Sequence, residues 1–204
     1  MKIILASKSP RRIDYLRALG LTFQVQAPNI DETPKPGERP ESIVERLARE
    51  KAQAIAALNH EACHILSADT LVVFENQVLG KPRDAEEAKL MLTQLSGKAH
   101  KVVSGWALLT QPENTLVSGF DTTHICFRQL LPEEITAYVA NGEPLDKAGA
   151  YAIQGGAAGF VTQRKGSLSN VIGLPLQTVV PILAKTLKTP SLLLEKAFIM
   201  DKDV

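Results

Sequence analysis

The stretch MKIILASKSPRRIDYLRALG, residues 1–20, decides the fold class. Its apolar run over residues 2–6 predicts a short buried strand. The helical spacing of the later apolar residues predicts a helix over residues 10–19 that Gly20 ends. A buried strand that leads directly into a helix is typical of an α/β domain.

Strand and helix patterns alternate along the rest of the chain. Predicted strands cover residues 21–27, 65–74, 100–110, 115–128 and 159–166. Predicted helices begin at a capping box of Ser42 and Glu45, at the capping signature of Asp84 and Glu87, at Pro132, and in the segment 173–187. Because the strands at 100–110 and 115–128 form a long hairpin pattern among α/β units, the sequence predicts a mixed sheet.

Composition excludes several classes of protein. The 204 residues carry 23 basic and 22 acidic side chains, a net charge of +1, whereas nucleic-acid binders usually have a clear basic excess. We therefore expect no nucleic-acid partner, and any bound anion should be small. Cys63 and Cys126 lack metal-type spacing, which favours free thiols in a reducing compartment. No run resembles a signal peptide or a membrane span, so the expected location is the cytoplasm.

The segment SKSPRR, residues 7–12, breaks a local rule. With Ser9 as N-cap and Pro10 at the first helical position, Arg11 and Arg12 fall in the first turn, where a cation opposes the helix dipole. Free backbone N–H groups, hydroxyls and two guanidinium groups at that end would together surround a phosphate. The alternative is that both arginines pair with acids on the surface.

Two further charged residues occur where apolar residues are expected. Lys51 lies on the apolar stripe of the helix that begins near Ser42, so it either reaches out to water or meets an anion. Asp69 interrupts the apolar strand ILSADTLVVF at 65–74. A carboxylate there could bind a divalent metal or accept a proton from water, or it could bond turn amides at a strand end.

The remaining candidates are weaker on their own. Lys81 lies between Gly80 and Pro82, Glu32 lies in a polar loop, and Lys147 belongs to a glycine-rich segment. Cations together with an acid, on separate elements, suit phosphoryl or nucleotidyl chemistry. There is no GxxxxGK motif followed by Ser or Thr, and no GxGxxG after a strand, so neither a P-loop nor a dinucleotide-binding fold is supported.

Four motifs in this order resemble the Maf family of nucleoside triphosphate pyrophosphatases. They are SKSPRR at 7–12, SADT at 67–70, GKPRD at 80–84 and DKAGAYAIQG at 146–155. The resemblance implies a twisted mixed sheet flanked by helices, with a cleft between two lobes, similar to the inosine triphosphatase group. It covers one domain at residues 1–188 and leaves residues 189–204 as a C-terminal extension.

The resemblance also implies a reaction and roles for single residues. A nucleoside triphosphate would be cut between its α and β phosphates with a divalent cation, Mg²⁺ or Mn²⁺. Asp69 would be the proton acceptor and, with Glu32, a metal ligand. The polar residues that would bind substrate are Ser7, Ser9, Arg12, Glu32, Lys51, Lys81 and Lys147.

Three positions, Arg11, Thr70 and Gln154, match those that separate the family's substrate subgroups. All three follow the subgroup that resembles this chain and acts on dTTP and UTP, rather than the subgroup that prefers 7-methyl-GTP. Modified pyrimidine nucleotides are a further candidate substrate. The motif position of Ser67 more often holds glycine, which should affect backbone packing more than chemistry.

Two other functions stay open at this point. A nucleotide-sensing regulator of septum formation would use the same residues without turnover, and a pyrophosphatase for modified purine nucleotides would resemble the inosine triphosphatase group. The apolar pattern SLLLEKAFI at 191–199 fits docking on a second subunit, as in a homodimer, or packing on its own chain.

Overall fold

The computed structural model describes residues 2–188 and 190–201 and has an α/β architecture. The strands are β1 (Lys2–Leu5), β2 (Gln24–Val25), β3 (Cys63–Phe74), β4 (Gln77–Leu79), β5 (Ala99–Gln111), β6 (Thr115–Phe127) and β7 (Val161–Lys165). The helices are α1 (Pro10–Ala18), α2 (Pro40–Ala56), α3 (Ala85–Leu95), α4 (Pro132–Ala140), α5 (Leu168–Ile172), α6 (Leu176–Leu187) and α7 (Pro190–Met200). Within these residues, no helix is both long enough and apolar enough to cross a membrane.

The strands form one mixed sheet in the order β2-β1-β3-β5-β6-β7, with β4 paired to β3. Strand β1 runs parallel to β2 and to β3, whereas β4 is antiparallel to β3 and β7 is antiparallel to β6. The register places Ile4 opposite Ile65, and both side chains are fully buried. The predicted mixed sheet with flanking helices is therefore confirmed.

The two predicted helix-capping signatures fare differently. Asp84 caps α3 by accepting a hydrogen bond from the Glu87 N–H at 2.8 Å. The capping box of Ser42 and Glu45 is wrong, because α2 begins earlier, at Pro40. Proline suits a first helical position, and the Glu45 carboxylate instead accepts from the Ser118 hydroxyl at 2.7 Å.

The segment predicted as one closing helix over 173–187 starts later than expected. Helix α6 begins at Leu176, directly after Pro175, and continues through Pro181. The five-residue helix α5 precedes it, ends at Gly173 with φ +122°, and was too short for a periodic pattern to reveal.

Spatial contacts divide the chain into two compact units. Unit 1 comprises the residues up to Asp69, Ser104–Asp121 and the residues from Ser167 onward, and unit 2 comprises Thr70–Val103 and Thr122–Gly166. The cleft predicted between two lobes and the domain boundary after residue 188 stay predictions. Thr189 and residues 202–204 of the predicted extension lie outside the described residues.

In unit 1, helix α2 packs closely on strand β5. Buried side chains from both elements and from β1 and β3 meet in one apolar cluster, which includes Ile4, Ile55, Ile65 and Leu109. Gly105 allows this packing, because a Cβ atom at that position would lie 2.2 Å from the backbone of Val44 in α2. The close approach brings the inner face of α2 directly against the sheet.

Unit 2 has its own core of aromatic rings. Phe127 packs edge-to-face against His100, Tyr151 and Phe160, with ring centroids 4.9 to 6.0 Å apart. The His100 Nε2 lies 2.8 Å from the Tyr151 hydroxyl, and burial lowers the pKa of His100 to about 4. The histidine is therefore neutral at pH 7 and serves packing in this core.

Candidate active site

Asp69 is a buried carboxylate within strand β3 of unit 1. The residue is 8% exposed and lies in the middle of the strand, so the strand-end alternative does not apply. Its Oδ1 accepts a hydrogen bond from the Lys51 Nζ at 2.6 Å. A buried charge needs such a partner, because moving an unpaired charge out of water costs several kcal/mol.

Lys51 meets anions rather than reaching out to water. It lies on the buried stripe of α2 and is 7% exposed. Its Nζ is 2.6 Å from Asp69 Oδ1 and 2.7 Å from Glu32 Oε1. One ammonium group therefore joins two carboxylates from different segments of the chain.

Glu32 supplies the open side of this cluster. It belongs to the polar loop between β2 and α2, and its side chain is 60% exposed, against 12% for Asp69. A strand fixes the position of Asp69, whereas a loop carries Glu32. The cluster is thus anchored on the sheet side and reachable by solvent on the loop side.

Arg12, in the first turn of α1, is held from two directions. Its Nε donates to the Gly173 carbonyl at 2.7 Å, and its Nη1 donates to the Ser7 Oγ at 3.2 Å. Ser9 lies at the N-cap position, as predicted, and its N–H donates to the Ser7 Oγ at 3.1 Å. A backbone carbonyl 161 residues away therefore helps to fix the guanidinium.

Electrostatic coupling links Arg12 to the carboxylates. Burial lowers the pKa of Arg12, and the Asp69 and Glu32 carboxylates partly offset this, while Arg11 adds to the lowering. The guanidinium stays protonated throughout the physiological range. Because no acid lies in the first turn of α1, this helix end offers positive charge to an anion.

The donor set fits a magnesium-type cation bound jointly with a substrate. Among residues 2–188 and 190–201, no group of three or more His, Cys, Asp or Glu side chains could hold a metal by itself. Mg²⁺ commonly takes one or two protein carboxylates and completes its coordination with phosphate oxygens and water. Asp69 and Glu32, both bonded to the Lys51 ammonium, are the residues that would supply those carboxylates.

The other predicted site residues belong to unit 2. The Gly149 N–H donates to the Gly80 carbonyl at 3.0 Å and so joins the loops that carry Lys147 and Lys81. Lys81 is exposed, and Lys147 is partly exposed and paired with Asp146. Thr70 and Gln154 also lie in unit 2, partly exposed on β3 and exposed on a turn, respectively.

Sequence reasoning missed two contributors to the site geometry. The carbonyl of Gly173 has no side-chain signature, so no pattern could have identified it as the acceptor for Arg12. Ser67 is fully buried, and its hydroxyl donates to the Ala48 carbonyl of α2 at 2.5 Å. Its signal was the departure from glycine in the SADT motif, and its bond ties β3 to α2 beside the Asp69–Lys51 pair.

Comparisons with known proteins agree on the family and the fold. Residues 2–186 match the family model described as Maf-like protein. A dTTP/UTP pyrophosphatase of Myxococcus xanthus is 50% identical over 183 residues, which cover 90% of this chain and 91% of that protein. A dTTP/UTP pyrophosphatase of Geotalea uraniireducens is 48% identical over 183 residues, covering 90% and 94%.

One solved structure supports the fold. The Ham1 protein of Staphylococcus aureus superposes with a TM-score of 0.50 over 92% of this chain and 98% of that chain, at 13% sequence identity. At that identity the likeness concerns the fold alone. It agrees with the predicted fold, a mixed sheet flanked by helices.

Proposed function

Because the chain belongs to the Maf-like protein family, we propose that it hydrolyses dTTP and UTP between the α and β phosphates. The products are the nucleoside monophosphate and pyrophosphate. The two dTTP/UTP pyrophosphatases compared above are 50% and 48% identical to the chain over most of their length. A house-cleaning role, which removes unwanted nucleotides, is the biological part of the proposal.

The observation that carries the proposal is the buried Asp69–Lys51 pair beside the Arg12 guanidinium. A nucleotide sensor would gain nothing from a carboxylate next to phosphates, since the two repel each other. A hydrolase needs that carboxylate to accept a proton from water. The pair therefore favours turnover over sensing.

Asp69 is the proposed proton acceptor. Lys51 engages its Oδ1 and thereby fixes the carboxylate plane, which leaves Oδ2 as the oxygen that receives the proton of the attacking water. Positioned general bases contribute about 10²–10⁴-fold to rate. The water attacks the α-phosphorus in line, and pyrophosphate leaves.

Arg12 and Lys51 are the proposed groups that stabilise charge on the phosphate oxygens. The Ser7 and Ser9 hydroxyls lie at the same helix end; the Ser7 Oγ accepts from the Ser9 N–H and from the Arg12 Nη1, so its own proton can be donated to an anion. A bound Mg²⁺ or Mn²⁺ would draw electron density from the triphosphate, with Asp69 and Glu32 as its protein ligands. The roles of Lys81 and Lys147 as phosphate ligands stay predictions from the family resemblance.

We also propose which residues recognise the base of the nucleotide. Gln154 carries an amide that can both donate and accept toward a pyrimidine edge, and Thr70 offers a smaller hydroxyl contact. Arg11 completes the subgroup pattern. Modified pyrimidine nucleotides fit the same donors and acceptors and belong to the substrates proposed.

A substrate panel tests this function. The purified chain is incubated with Mg²⁺ and dTTP, UTP, GTP, 7-methyl-GTP or dITP, and monophosphate and pyrophosphate are quantified. Release of both products from dTTP and UTP should be well above that from the other three nucleotides. Comparable turnover of GTP or dITP would contradict the substrate assignment, and binding of dTTP without any product would favour the sensor.

Two arginine variants should fail differently in the same panel. Arg12→Ala removes a phosphate ligand and should lower turnover of every substrate by about 10²-fold. Arg11→Trp should change the ranking of the substrates while the rate on the best one stays within about tenfold. Loss of all turnover in Arg11→Trp with a preserved ranking would contradict its role in base choice.

Location and assembly complete the proposal. The cytoplasm, where nucleoside triphosphates are used, is the proposed compartment, and the free thiols of Cys63 and Cys126 agree with reducing conditions. In α7, Leu193 and Ala197 are buried against the chain itself, whereas Leu194, Phe198 and Ile199 are exposed. Docking of that exposed face on a second copy stays a prediction, which sedimentation velocity can test.

A further inference from the structure

Asp201, directly after α7, is a buried carboxylate that the proposed chemistry does not use. It is 5% exposed and lies beyond residue 186, where the match to the family model ends. Its Oδ1 accepts from the Ser169 N–H at 2.6 Å and from the Ser167 hydroxyl at 2.9 Å. Asp201 therefore binds the first turn of α5 with two hydrogen bonds, one of them to the backbone.

Hydrogen bonds continue from that turn to Gly173. The Ser169 carbonyl accepts from the N–H groups of Gly173 and Leu174, each at 3.0 Å. The Ser169 hydroxyl accepts from the Leu176 N–H at 3.0 Å, at the start of α6. Ser169 thus fixes the backbone on both sides of Gly173, and Asp201 fixes Ser169.

Gly173 is the residue whose carbonyl holds Arg12. The Arg12 Nε donates to it at 2.7 Å, so the position of α5 contributes to where the guanidinium points. The negative charge of Asp201 also reaches helix α1, since burial, and after it the Asp201 carboxylate, raises the pKa of Tyr15, three residues after Arg12. All of these residues belong to unit 1.

We propose that Asp201 is a positioning residue for Arg12, acting through the Ser169 and Gly173 backbone of α5. This inference rests on the proposed function only for the role of Arg12 in turnover. Without the two hydrogen bonds to Oδ1, the first turn of α5 is free to shift, and the Gly173 carbonyl moves with it. A guanidinium displaced by a fraction of an ångström loses part of its interaction with the reacting phosphate.

Packing of α7 holds Asp201 in place. Leu193 and Ala197 are buried on the side of α7 that faces the chain, and the Lys196 Nζ donates to the Leu19 carbonyl at 3.4 Å, at the end of α1. The helix therefore contacts the same element that carries Arg12. Glu195, exposed on the same helix, offers a matched control because it is also an acid.

A double-mutant cycle with dTTP separates positioning from general stability. Asp201→Ala should lower kcat about tenfold with KM changed by less than about twofold, whereas Asp201→Asn, which keeps an accepting oxygen, should stay within about threefold of the wild type. In an Arg12→Ala background, Asp201→Ala should have less than about a twofold further effect. Equal losses in both backgrounds, or no loss in either, would overturn the inference.

A second measurement does not depend on turnover. In protein labelled with ¹⁵N at arginine, exchange of the Arg12 Nε proton with water should be about tenfold faster in Asp201→Ala than in wild type, and unchanged in Glu195→Ala and Asp201→Asn. Unchanged exchange in Asp201→Ala would overturn the inference. If the wild type fails to cleave dTTP, the proposed function is wrong, and the exchange rates still decide the role of Asp201.

Discussion

Helix α2 carries two cations, Arg46 and Lys51, each paired with a carboxylate. The two pairs differ in how many oxygens of the carboxylate are engaged. In the outer pair, Glu38 receives the Arg46 Nε on one oxygen at 2.7 Å, and Arg46 Nη2 at 2.8 Å and the Lys35 N–H at 3.1 Å on the other. In the inner pair, Lys51 engages Asp69 at Oδ1 alone, at 2.6 Å. Within the described residues, both oxygens of Glu38 accept hydrogen bonds, whereas Asp69 keeps its Oδ2 for chemistry.

The charges of the outer pair are structural, whereas those of the inner pair are placed for function. Arg46 also donates from Nη1 to Glu50 at 3.1 Å, so all three guanidinium nitrogens bind neighbouring carboxylates. Such bidentate pairs stabilise a local geometry, and their engaged atoms are less available to a ligand. Lys51 carries three donor hydrogens and has two carboxylate partners from separate segments, which a substrate or water can join.

The largest effect on stability should come from breaking the inner pair. Lys51→Met leaves the buried Asp69 carboxylate without its cation and should lower the free energy of unfolding by about 3–5 kcal/mol. Arg46→Met is the matched change in the outer pair, and it should cost less, because Glu38 lies in a loop and keeps the Lys35 N–H as a donor. Urea unfolding measures the loss in the free energy of unfolding for both variants. An equal loss would contradict the distinction between the inner and the outer pair.

Moving the helix that carries both pairs should have the next largest effect. In Gly105→Ala the new Cβ would overlap the Val44 backbone at 2.2 Å, which forces α2 away from β5 and costs about 1–3 kcal/mol. Lys51 moves with the helix, so turnover should fall as well. Gly159→Ala is the control, since a Cβ there would meet nothing within 4 Å. A thermal melt of Gly105→Ala that matches the control would contradict the close packing.

A smaller effect should follow from removing the bond beside the inner pair. Ser67→Ala deletes the hydroxyl that donates to the Ala48 carbonyl and should cost about 1 kcal/mol. Because Lys51 and Asp69 keep their own bond, turnover should stay within about threefold of wild type. Urea unfolding and dTTP turnover, measured on one preparation, give the change in stability and the change in rate. A tenfold loss of turnover would assign Ser67 a direct role in the chemistry.

The smallest effect concerns the outer pair and depends on pH. The Arg46 guanidinium lowers the pKa of Glu38 from 4.5 to about 2. A carboxylate with a lowered folded-state pKa stabilises the fold above its unfolded pKa, and this contribution disappears as pH falls through 4.5 toward 2. The melting temperatures of wild type and Glu38→Gln should therefore differ at pH 7 and converge near pH 2.5. A difference in melting temperature that stays constant between pH 7 and pH 2.5 would contradict the coupling of Glu38 to Arg46.

Much of the fold could be predicted because its signals are local. The strand and helix in residues 1–20, the cap at Asp84 and the strand around Asp69 all follow from spacing and side-chain type within a few residues. The start of α2 was mispredicted, because Pro40 and the capping pattern at Ser42 compete and the proline position decides. Local rules rank such alternatives poorly when two signals lie within one helical turn.

The candidate site could be predicted only in part. Lys51 and Asp69 were recognisable because each breaks the pattern of its own element, yet nothing local says that they bond to each other. The partner of Arg12 is a backbone carbonyl 161 residues away, which only the tertiary fold defines. Asp201 has no pattern of its own, and its importance follows from contacts with α5.

Pyrophosphate release from dTTP by Asp69→Asn tests whether the buried Asp69 carboxylate is the proton acceptor. Asparagine keeps an oxygen that can accept from Lys51, so the fold should be retained, as circular dichroism can verify. We expect a loss of at least about 10²-fold in kcat relative to wild type, with the kcat of Glu38→Gln unaffected. Turnover by Asp69→Asn within a few-fold of wild type would contradict the assignment of Asp69 as the proton acceptor.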